Sequence, residues 1–418
     1  MALYGANLTT RYIDPVFERS NLRAEFRLQP DTLYLSNLRL LGVGSDSSVG
    51  TSYNKLVGAL SAIASIQLYD GNQLLDQVLQ ATILNAFRNQ LHDNDSNLSV
   101  NRYLNYTGLG FLASGVDGAG GGVKVREQNP FPANEGQQAW VSLKSMLPFL
   151  ASSLTLPTNV FKKPRLVINY TSQTDLQNSL FVLNSTYTAT FDNLTGMVLV
   201  ADEMNAGDMK DAMMSNYDGV RYSPIEHDSV IIPAITGLAD TAADDEKKET
   251  RSFNVNGFNN KYLKRLVLVN TATDKTTWQT GGANTLYSNQ GSLSFFKPRV
   301  QLRVNGSDLL PREGFIGHNR RLAQLTDAWG TQNLVNGGQF TSIEGAADVI
   351  EAPIDRCGSV DYTGVKVERE VSELIVDVER SGVFGNEVLN QAVRLNMFGE
   401  VAKAVVMRPD GTYQVVYE

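Results

Sequence analysis

The side chains best suited to proton transfer, metal binding or nucleophilic attack in this chain are those of His92, His227, His318 and Cys357. His92 and His318 flank two separate helical segments, so they need not meet. A hydrolytic triad around His227 would need a nucleophile elbow, which is absent. The chain also has no His-Glu-x-x-His, paired-cysteine or P-loop motif. The sequence therefore predicts no catalytic and no metal-binding residues, and a structural thiol at Cys357.

Paired carboxylates offer a second kind of chemistry, the hydrolysis of glycosides. Adjacent acids occur at Asp202-Glu203 and Asp244-Asp245. Neighbouring positions of a strand point to opposite faces of a sheet, so such pairs rarely converge on one substrate. The segment Gly115–Gly122 lacks the Gly-Lys-Ser/Thr of a phosphate loop, and Ala239–Glu249 lacks the ligand spacing of a calcium loop. We therefore predict that the chain is not an enzyme and binds no cofactor.

Tryptophan side chains could form a platform for sugars. Trp140 is expected to begin a short helix and Trp329 to end one, which favours packing roles for both. Trp278 lies in a polar segment, Thr276–Thr280, and is the candidate for an exposed loop tip. These residues leave open an alternative function, a carbohydrate-binding or fibre-like β-sandwich attachment protein.

The composition sets the scale and the possible partners. A chain of 418 residues with 42% hydrophobic residues is long enough for two cores. Its net charge of −8 argues against a surface that neutralises nucleic-acid phosphates, and the basic clusters Lys162–Arg165 and Arg320-Arg321 are expected to be solvated. A single cysteine excludes an intrachain disulfide. We expect no signal peptide, because the N-terminus lacks a basic and an apolar region.

Short apolar runs bounded by turn residues predict strands along the whole chain. The predicted strands are 34–43, 64–69, 165–170, 181–191, 197–200, 229–235, 262–270, 292–296, 299–304, 373–378, 401–407 and 412–417. The last one follows the turn signal Pro409-Asp410-Gly411 and completes a terminal hairpin. Helices are predicted over Leu75–Leu91, its counterpart Arg320–Trp329, and Ala139–Leu147, where Pro148 would stop the helix.

Three predicted strands of the first half recur in the same order in the second. Residues 34–40 match 262–268, residues 66–75 match 300–310, and residues 165–170 match 373–378. The offset changes from 228 to 234 to 208 residues, as loops of different length between equivalent strands would produce. We interpret the pattern as a duplication.

Each repeated unit has the pattern of a jelly roll, in which two antiparallel sheets pack face to face with long loops at one end. The predicted fold class is all-β, with two consecutive eight-stranded antiparallel jelly-roll sandwiches and a few short helices in the connections. The predicted divisions are an N-terminal arm (1–30), a first jelly roll (31–200) and a second jelly roll (201–418). Aromatic and basic residues in Met1–Asp31 fit an arm beneath a shell, or an ordinary first strand and loop.

The chain resembles the major capsid proteins of double jelly-roll DNA viruses, in particular those of polinton-like viruses and virophages. The resemblance covers most of the chain as a pattern and rests on Pro30–Val43, Ala64–Asp70, Leu156–Tyr170 and Phe253–Asn270. One departure is length, because this chain is shorter than many virophage relatives, which suggests modest tower loops.

The resemblance implies a structural role in the virion, with assembly inside the host cell. It implies homotrimeric, pseudo-hexagonal capsomers that tile an icosahedral shell, with upright sheets and the long loops outermost. The implied partners are the chain itself, neighbouring capsomers, and minor capsid and penton proteins, with an internal membrane as a further candidate. Sequence-specific nucleic acid is not an expected partner.

Overall fold

The structure of this protein is a computed structural model. It describes residues 8–19, 22–42, 51–53, 60, 62–85, 140–172, 181–183, 197–204, 208–234, 247–273, 299–311, 324, 327–328, 361–382 and 392–418. Antiparallel strands dominate these residues and form two sandwiches, one from each half of the chain. The all-β prediction is confirmed, whereas eight strands per sandwich stays a prediction.

The first sandwich pairs two sheets built from the N-terminal half. Its strands are β1 (Leu8–Ile13), β2 (Phe17–Arg19), β3 (Arg23–Arg27), β4 (Leu33–Leu35), β5 (Arg39–Leu41), β6 (Thr51–Tyr53), β7 (Ile63–Asp70), β8 (Gln73–Leu79), β9 (Trp140–Ser142), β10 (Thr155–Pro157), β11 (Pro164–Tyr170), β12 (Phe181–Leu183) and β13 (Val198–Met204). One sheet, the β1–β13 sheet, has the order β10-β4-β13-β5-β9, with β1 paired to β13. The other, the β3–β11 sheet, has the order β2-β3-β11-β7-β8, and β6 pairs with β12 separately.

The second sandwich repeats this arrangement with longer strands. Its strands are β14 (Gly219–Tyr222), β15 (Ile225–Ile232), β16 (Lys247–Val255), β17 (Lys261–Ala272), β18 (Arg299–Val304), β19 (Ser307–Asp308), β20 (Asp361–Val371), β21 (Leu374–Gly382), β22 (Val393–Val401), β23 (Lys403–Met407) and β24 (Tyr413–Tyr417). The β15–β22 sheet has the order β15-β22-β17-β20 and the β16–β21 sheet has the order β16-β21-β18-β19. A third, C-terminal sheet has the order β14-β23-β24.

The strands that carry the sequence repeat occupy the same positions in the two sandwiches. The strand β5 lies next to β13 as β17 lies next to β22, and β7 lies between β11 and β8 as β18 lies between β21 and β19. The turns that follow β7 and β18 each contain a glycine with positive φ, +57° at Gly71 and +75° at Gly306. Only glycine adopts this conformation readily, which explains why it recurs in both halves.

The strand pairing corrects one detail of the repeat. The repeat in the sequence aligns 165–170 with 373–378, which makes Leu374 the equivalent of Leu166 in the second half. In the sheets, Leu166 pairs with Leu68, and Val376 pairs with Leu302, the counterpart of Leu68. The true offset is therefore two residues larger. A shift of two leaves every side chain on the same face of a strand, so the apolar pattern cannot detect it.

Two helix predictions are wrong in part. Residues 75–79 belong to β8, and within the predicted Leu75–Leu91 only 81–85 are described as helical. The Gly71-Asn72 turn folds β8 back onto β7, and this pairing overrides the helical spacing of the apolar residues. Residues 140–142 of the predicted Ala139–Leu147 helix are β9.

The helices in this region are short. They are α1 (Leu143–Met146) and α2 (Pro148–Ser152), followed later by α3 (Asp208–Ser215). The helix α1 ends at Met146, just before Pro148 as predicted, and Pro148 also begins α2, because its missing N–H costs nothing in the first turn of a helix. No helix in the described part of the chain is long and apolar enough to cross a membrane.

Each sandwich has its own core. In the first, Phe26 and Leu68 of one sheet and Leu40 and Leu199 of the other are fully buried. In the second, Leu302 and Val376 belong to a separate buried cluster with Leu266 and Leu395. Full burial of one such side chain contributes roughly 1.5–3 kcal/mol. The cores therefore hold each pair of sheets together.

Several predicted features lie beside or outside these elements. The predicted strand 34–43 is divided into β4 and β5. Of the predicted strand 181–191, residues 181–183 form β12 and the rest lie outside the described residues, as does the predicted strand 292–296. The domain boundaries at 30 and 200 stay predictions. The strands β1 to β3 lie before the first boundary and pair with first-half strands, and β13 spans the second.

We predict that Gly399→Ala destabilises the second sandwich. A Cβ at this position would lie 2.3 Å from Cε1 of the fully buried Phe258 and 2.8 Å from Cδ1 of Leu263. Overpacking of this kind lowers the free energy of unfolding by about 1–3 kcal/mol. Thermal unfolding should show the loss, and adding Phe258→Leu to the variant should recover part of it. Strictly additive losses in the double variant would contradict the proposed clash.

Candidate assembly interface at the junction of the sandwiches

The C-terminal sheet lies where the two sandwiches meet. Its strands β23 and β24 form the hairpin predicted from Pro409-Asp410-Gly411, and Gly411 has φ +79° in the turn. Val405 is part of the buried core of the first sandwich, and Val415 packs against it. The last strands of the chain therefore join the second half to the first.

Five aromatic rings pack together at this junction. Phe149 and Phe161 come from the first sandwich, and Tyr217, Tyr222 and Tyr413 come from the second half. Ring centroids lie 5.0–5.7 Å apart, mostly edge to face. Aromatic pairs in this geometry contribute about 0.5–1.5 kcal/mol each beyond their buried area. The contact is built like a protein core.

The β15–β22 sheet is apolar on both faces. Leu266 and Leu268 point into the core of the second sandwich, whereas Val267 and Val269 between them belong to the core cluster of the first. Phe398, which pairs with Val267, lies on the same face and is 2% exposed. A strand buried on both faces reads as a continuous apolar run rather than an alternating one. The first sandwich therefore covers the outer face of this sheet.

Polar groups of the second half bond to β8 of the first. Tyr222 donates its hydroxyl, and Lys403 donates from Nζ at 3.1 Å, to the backbone carbonyl of Leu75. At the turn before β8, the Tyr413 hydroxyl donates to Oδ2 of Asp70 at 2.7 Å. These bonds fix β8 against the C-terminal sheet and satisfy groups that burial would otherwise leave without partners.

Asp76 is a carboxyl group buried at the centre of the junction. It is 1% exposed and accepts backbone N–H groups from Gln77 at 2.8 Å and from Phe149 at 2.7 Å. Burial raises the pKa of Asp76 to about 7, although both N–H groups and the nearby Lys403 favour its ionised form. Burial likewise lowers the pKa of Lys403, which Asp76 opposes.

A second network extends from Lys403 to the surface. The lysine lies 5.1 Å from the centre of the Tyr417 ring, and Lys261 lies at the same distance. Glu226 accepts from the Tyr417 hydroxyl at 2.8 Å and from Lys261 at 2.5 Å. Cations over aromatic faces and charge-assisted bonds stabilise such partly buried sites.

A cavity of about 650 Å³ lies beside this network, between the short helices of the first sandwich and the β15–β22 sheet. Its charged groups are mostly engaged with neighbours. Arg265 pairs with Glu400, Arg221 with Glu418 at 3.0 Å, and Lys264 donates to Ser223 at 2.6 Å. The cavity is lined by satisfied structural groups rather than by an acid–base pair poised for reaction.

The candidate chemical residues that the structure describes are engaged in structural contacts. His227 on β15 lies 3.2 Å from Oδ1 of Asn396 with its ring 4.9 Å from that of Phe398, and burial lowers its pKa. Asp202 accepts hydrogen bonds from Arg39 and Thr10, whereas Glu203 pairs with Arg11. The two adjacent carboxylates therefore have separate partners, as expected for side chains on opposite faces of a strand. No group of three or more metal-ligating side chains converges among the described residues.

Of the three tryptophans, Trp140 lies among the described residues. Trp140 lies in β9 rather than at a helix start, with the Arg39 guanidinium 5.3 Å above its ring. Pairing of β9 with β5 overrides the predicted helical start. The other sequence candidates lie outside the described residues: His92, His318, Cys357, Trp278, Trp329, Asp244-Asp245, Gly115–Gly122 and Arg320-Arg321.

Sequence reasoning missed the polar residues of the junction. Asp76 interrupts an apolar run in β8, and Lys403 precedes four apolar residues in β23. A charged residue between buried neighbours is a signal that a buried partner exists elsewhere in the chain. Nothing in the sequence indicates that the partner of β8 lies more than 300 residues away.

We predict that Asp76 makes stability depend on pH. Its pKa rises from 3.8 to about 7 on folding. At a pH between these two values, Asp76 is protonated in the folded chain and ionised in the unfolded chain. The free energy of unfolding should therefore fall as the pH rises through this window. Urea unfolding between pH 4 and pH 8 measures the slope.

The variants Asp76→Asn and Asp70→Asn provide the comparison. Asn cannot accept from both N–H groups that Asp76 accepts, so Asp76→Asn should lose about 1–3 kcal/mol at pH 5. It should also flatten the pH dependence, whereas Asp70→Asn should retain the wild-type slope. An unchanged slope in Asp76→Asn would show that other groups cause the pH dependence.

The comparisons with known proteins identify the fold. No protein-family model and no curated protein sequence matches the chain. The structure is similar to PBCV-1 VP54, as fitted into a cryo-EM reconstruction of the virophage Sputnik, at 9% identity and a TM-score of 0.57, covering 100% of this chain and 98% of that one. The Sputnik virophage structure at 3.5 Å is 10% identical with a TM-score of 0.55, covering 100% and 90%.

The mavirus major capsid protein is also similar, at 10% identity and a TM-score of 0.50, covering 99% of this chain and 90% of that one. Identities this low show a shared fold and not a shared function. The likeness extends over both sandwiches, because almost the whole of each chain is covered. The chain has the fold of the double jelly-roll major capsid proteins.

Proposed function

We propose that this chain is a viral major capsid protein, located in the virion, that assembles as homotrimeric, pseudo-hexagonal capsomers in an icosahedral shell. Its role is structural rather than enzymatic. Its partners are other copies of itself and, in the shell, minor capsid and penton proteins, with an internal membrane as a further candidate. The observation that carries the proposal is the asymmetry of the junction between the two sandwiches.

The junction uses different surfaces of two similar units. The second sandwich contributes the edge strand β15 and the outer face of its β15–β22 sheet, and the first contributes β8 and the helices α1 and α2. A contact between different surfaces of similar units is heterologous, so it can be repeated from unit to unit. The equivalent of β15 on the first sandwich is β1, and the equivalent of β8 on the second is β19; both carry exposed residues.

The surface at β1 of the first sandwich corresponds residue by residue to the surface at β15 of the second. In the second sandwich, His227, Phe398 and Val267 pair in one row across β15, β22 and β17. In the first, Tyr12, Val200 and Arg39 pair in one row across β1, β13 and β5. The row across β15, β22 and β17 faces the first sandwich. The row across β1, β13 and β5 occupies the equivalent place on the β1–β13 sheet of the first sandwich. Val200 is buried within its own chain and Arg39 pairs with Asp202, so we infer that the exposed edge of this row, at Tyr12, contacts a sandwich of another copy.

Exposure supports β1 as a contact surface. Tyr12 is 65% exposed and Leu8 on the same face is 45% exposed. The strand β19, which occupies the place of β8 in the second sandwich, has both residues exposed. Large exposed apolar side chains near an unpaired strand edge favour association. A β1-to-β19 contact repeated by rotation closes a ring of six sandwiches from three chains.

The first test is the mass of the purified protein in solution by light scattering. We expect a species of three times 45.8 kDa with a hexagonal outline in negative-stain images. A chain that stays monomeric over a range of salt and pH would contradict the proposal.

The variant Tyr12→Glu tests the surface. A charge in the centre of a contact that buries an aromatic anchor costs about 2 kcal/mol or more per interface, so the trimer should dissociate at micromolar concentration. Val406→Glu is the matched control, since Val406 is 47% exposed on the C-terminal sheet, outside the proposed contact. Equal trimer content in both variants would exclude β1 from the interface, and an unchanged melting temperature in Tyr12→Glu would separate dissociation from unfolding.

A further inference from the structure

A cavity of about 640 Å³ lies at the end of the first sandwich where the connections are short. It is bounded by the end of β3, the Gly71-Asn72 turn and the segment before β11. Four cationic side chains line it: Arg27, Lys162, Lys163 and Arg165. The connections at this end bring together basic residues that are up to 138 positions apart in sequence (27 to 165).

Arg165 is held in place by three neighbours. Its Nε donates to the carbonyl of Gly71 at 3.1 Å, its guanidinium lies 4.8 Å from the centre of the Tyr69 ring, and Nη1 lies 3.7 Å from Glu25. Arg27 pairs with the other oxygen of Glu25 at 3.2 Å. A guanidinium fixed at the wall of a cavity loses little freedom when an anion binds.

The cations outnumber the carboxylates around them. Four cations line the cavity and two carboxylates adjoin it, Glu25 and Asp70, which leaves an excess of two positive charges. Both oxygens of Asp70 are occupied, by the Lys163 N–H at 2.6 Å and the Tyr413 hydroxyl at 2.7 Å. Neither lysine ammonium pairs with a carboxylate in the part of the chain that the structure describes.

The second sandwich shows that the fold does not need this charge. At the corresponding end, Oδ1 of Asn305 accepts from the N–H groups of Ser372 at 2.8 Å and Glu373 at 3.1 Å, and Nδ2 donates to the carbonyl of Glu370. An uncharged amide closes that turn, and no lysine or arginine occurs in 305–306 or 372–373. Arg165 bonds to the turn of the first sandwich, but the second sandwich closes its turn without counterparts of Lys162 and Lys163.

We propose that this cavity is a binding site for a phosphate-type anion, either free or presented by a lipid headgroup. Two lysines and two arginines, with Arg165 held by three neighbours, match the charge and the acceptor oxygens of a phosphate dianion. A nucleic-acid duplex would need an extended cationic surface, which a chain with a net charge of −8 disfavours. The inference rests on the cavity alone and not on the proposed assembly.

The test is calorimetric titration of the full chain with pyrophosphate. Wild type should bind, and the double variant Lys162→Ala/Lys163→Ala should bind about tenfold or more weakly, because two charge-assisted contacts are lost. Lys144→Ala, an exposed lysine of the same sandwich outside this cavity, should bind as wild type does. Binding should weaken as salt increases.

Vesicle flotation distinguishes the two sources of the anion. Binding to phosphatidylglycerol vesicles but not phosphatidylcholine vesicles, lost in the double variant, would identify a lipid headgroup. Pyrophosphate binding without flotation would identify a free anion. The site is overturned if neither probe binds, if the double variant binds both as wild type does, or if duplex DNA alone binds. Light scattering on the same samples reports assembly separately, so loss of the site and loss of the trimer are distinguishable.

Discussion

The burial of both faces of the β15–β22 sheet is the constraint on which the rest of the structure depends. Leu266 and Leu268 need the second core, and Val267 and Val269 need a separate cover. A sheet with two apolar faces cannot be stable against water on either side, so the second sandwich requires the first as its neighbour. The short helices α1 and α2, the strand β8 and the C-terminal sheet are arranged to supply that cover.

This requirement explains why polar groups are buried at the junction. The strand β8 is an edge strand, and its backbone groups need hydrogen-bond partners once β15 and the C-terminal sheet exclude water. Tyr222 and Lys403 supply partners for the Leu75 carbonyl, and Asp76 accepts the N–H of Phe149 in the first turn of α2. Burial shifts the pKa values of Asp76 and Lys403 toward the neutral forms, although each group opposes the shift of the other, and this limits the cost of burying charge. In β1, the counterpart of β15, the outward-facing Leu8 and Tyr12 are exposed.

The strands were more predictable than the helices, for a physical reason. A strand of four to eight apolar residues between turns has a local signature, and β7, β11, β17 and β18 lie where the sequence predicts them. The first part of the helix predicted from Leu75 was wrong because apolar residues at 75 and 78 fit both a helix and a bulged strand. The choice was made by pairing with β7, across a register shift at Leu68 and Tyr69. The two-residue error in the alignment of the repeats had a similar origin, because a shift of two residues leaves the alternation of inward and outward side chains unchanged.

The amino-acid sequence by itself determined the class of fold and the terminal hairpin, because each depends on residues close together in the chain. It also indicated the duplication, because the same short strand patterns recur in both halves. Only the tertiary structure decided which surfaces of the two sandwiches meet, that Asp76 and Lys403 lie buried together, and that Arg27 joins Lys162 and Arg165 around one cavity. These features bring together residues that are 138 to more than 300 positions apart. Apolar periodicity reports which face of a strand is buried, but it carries no information about which distant surface covers that face.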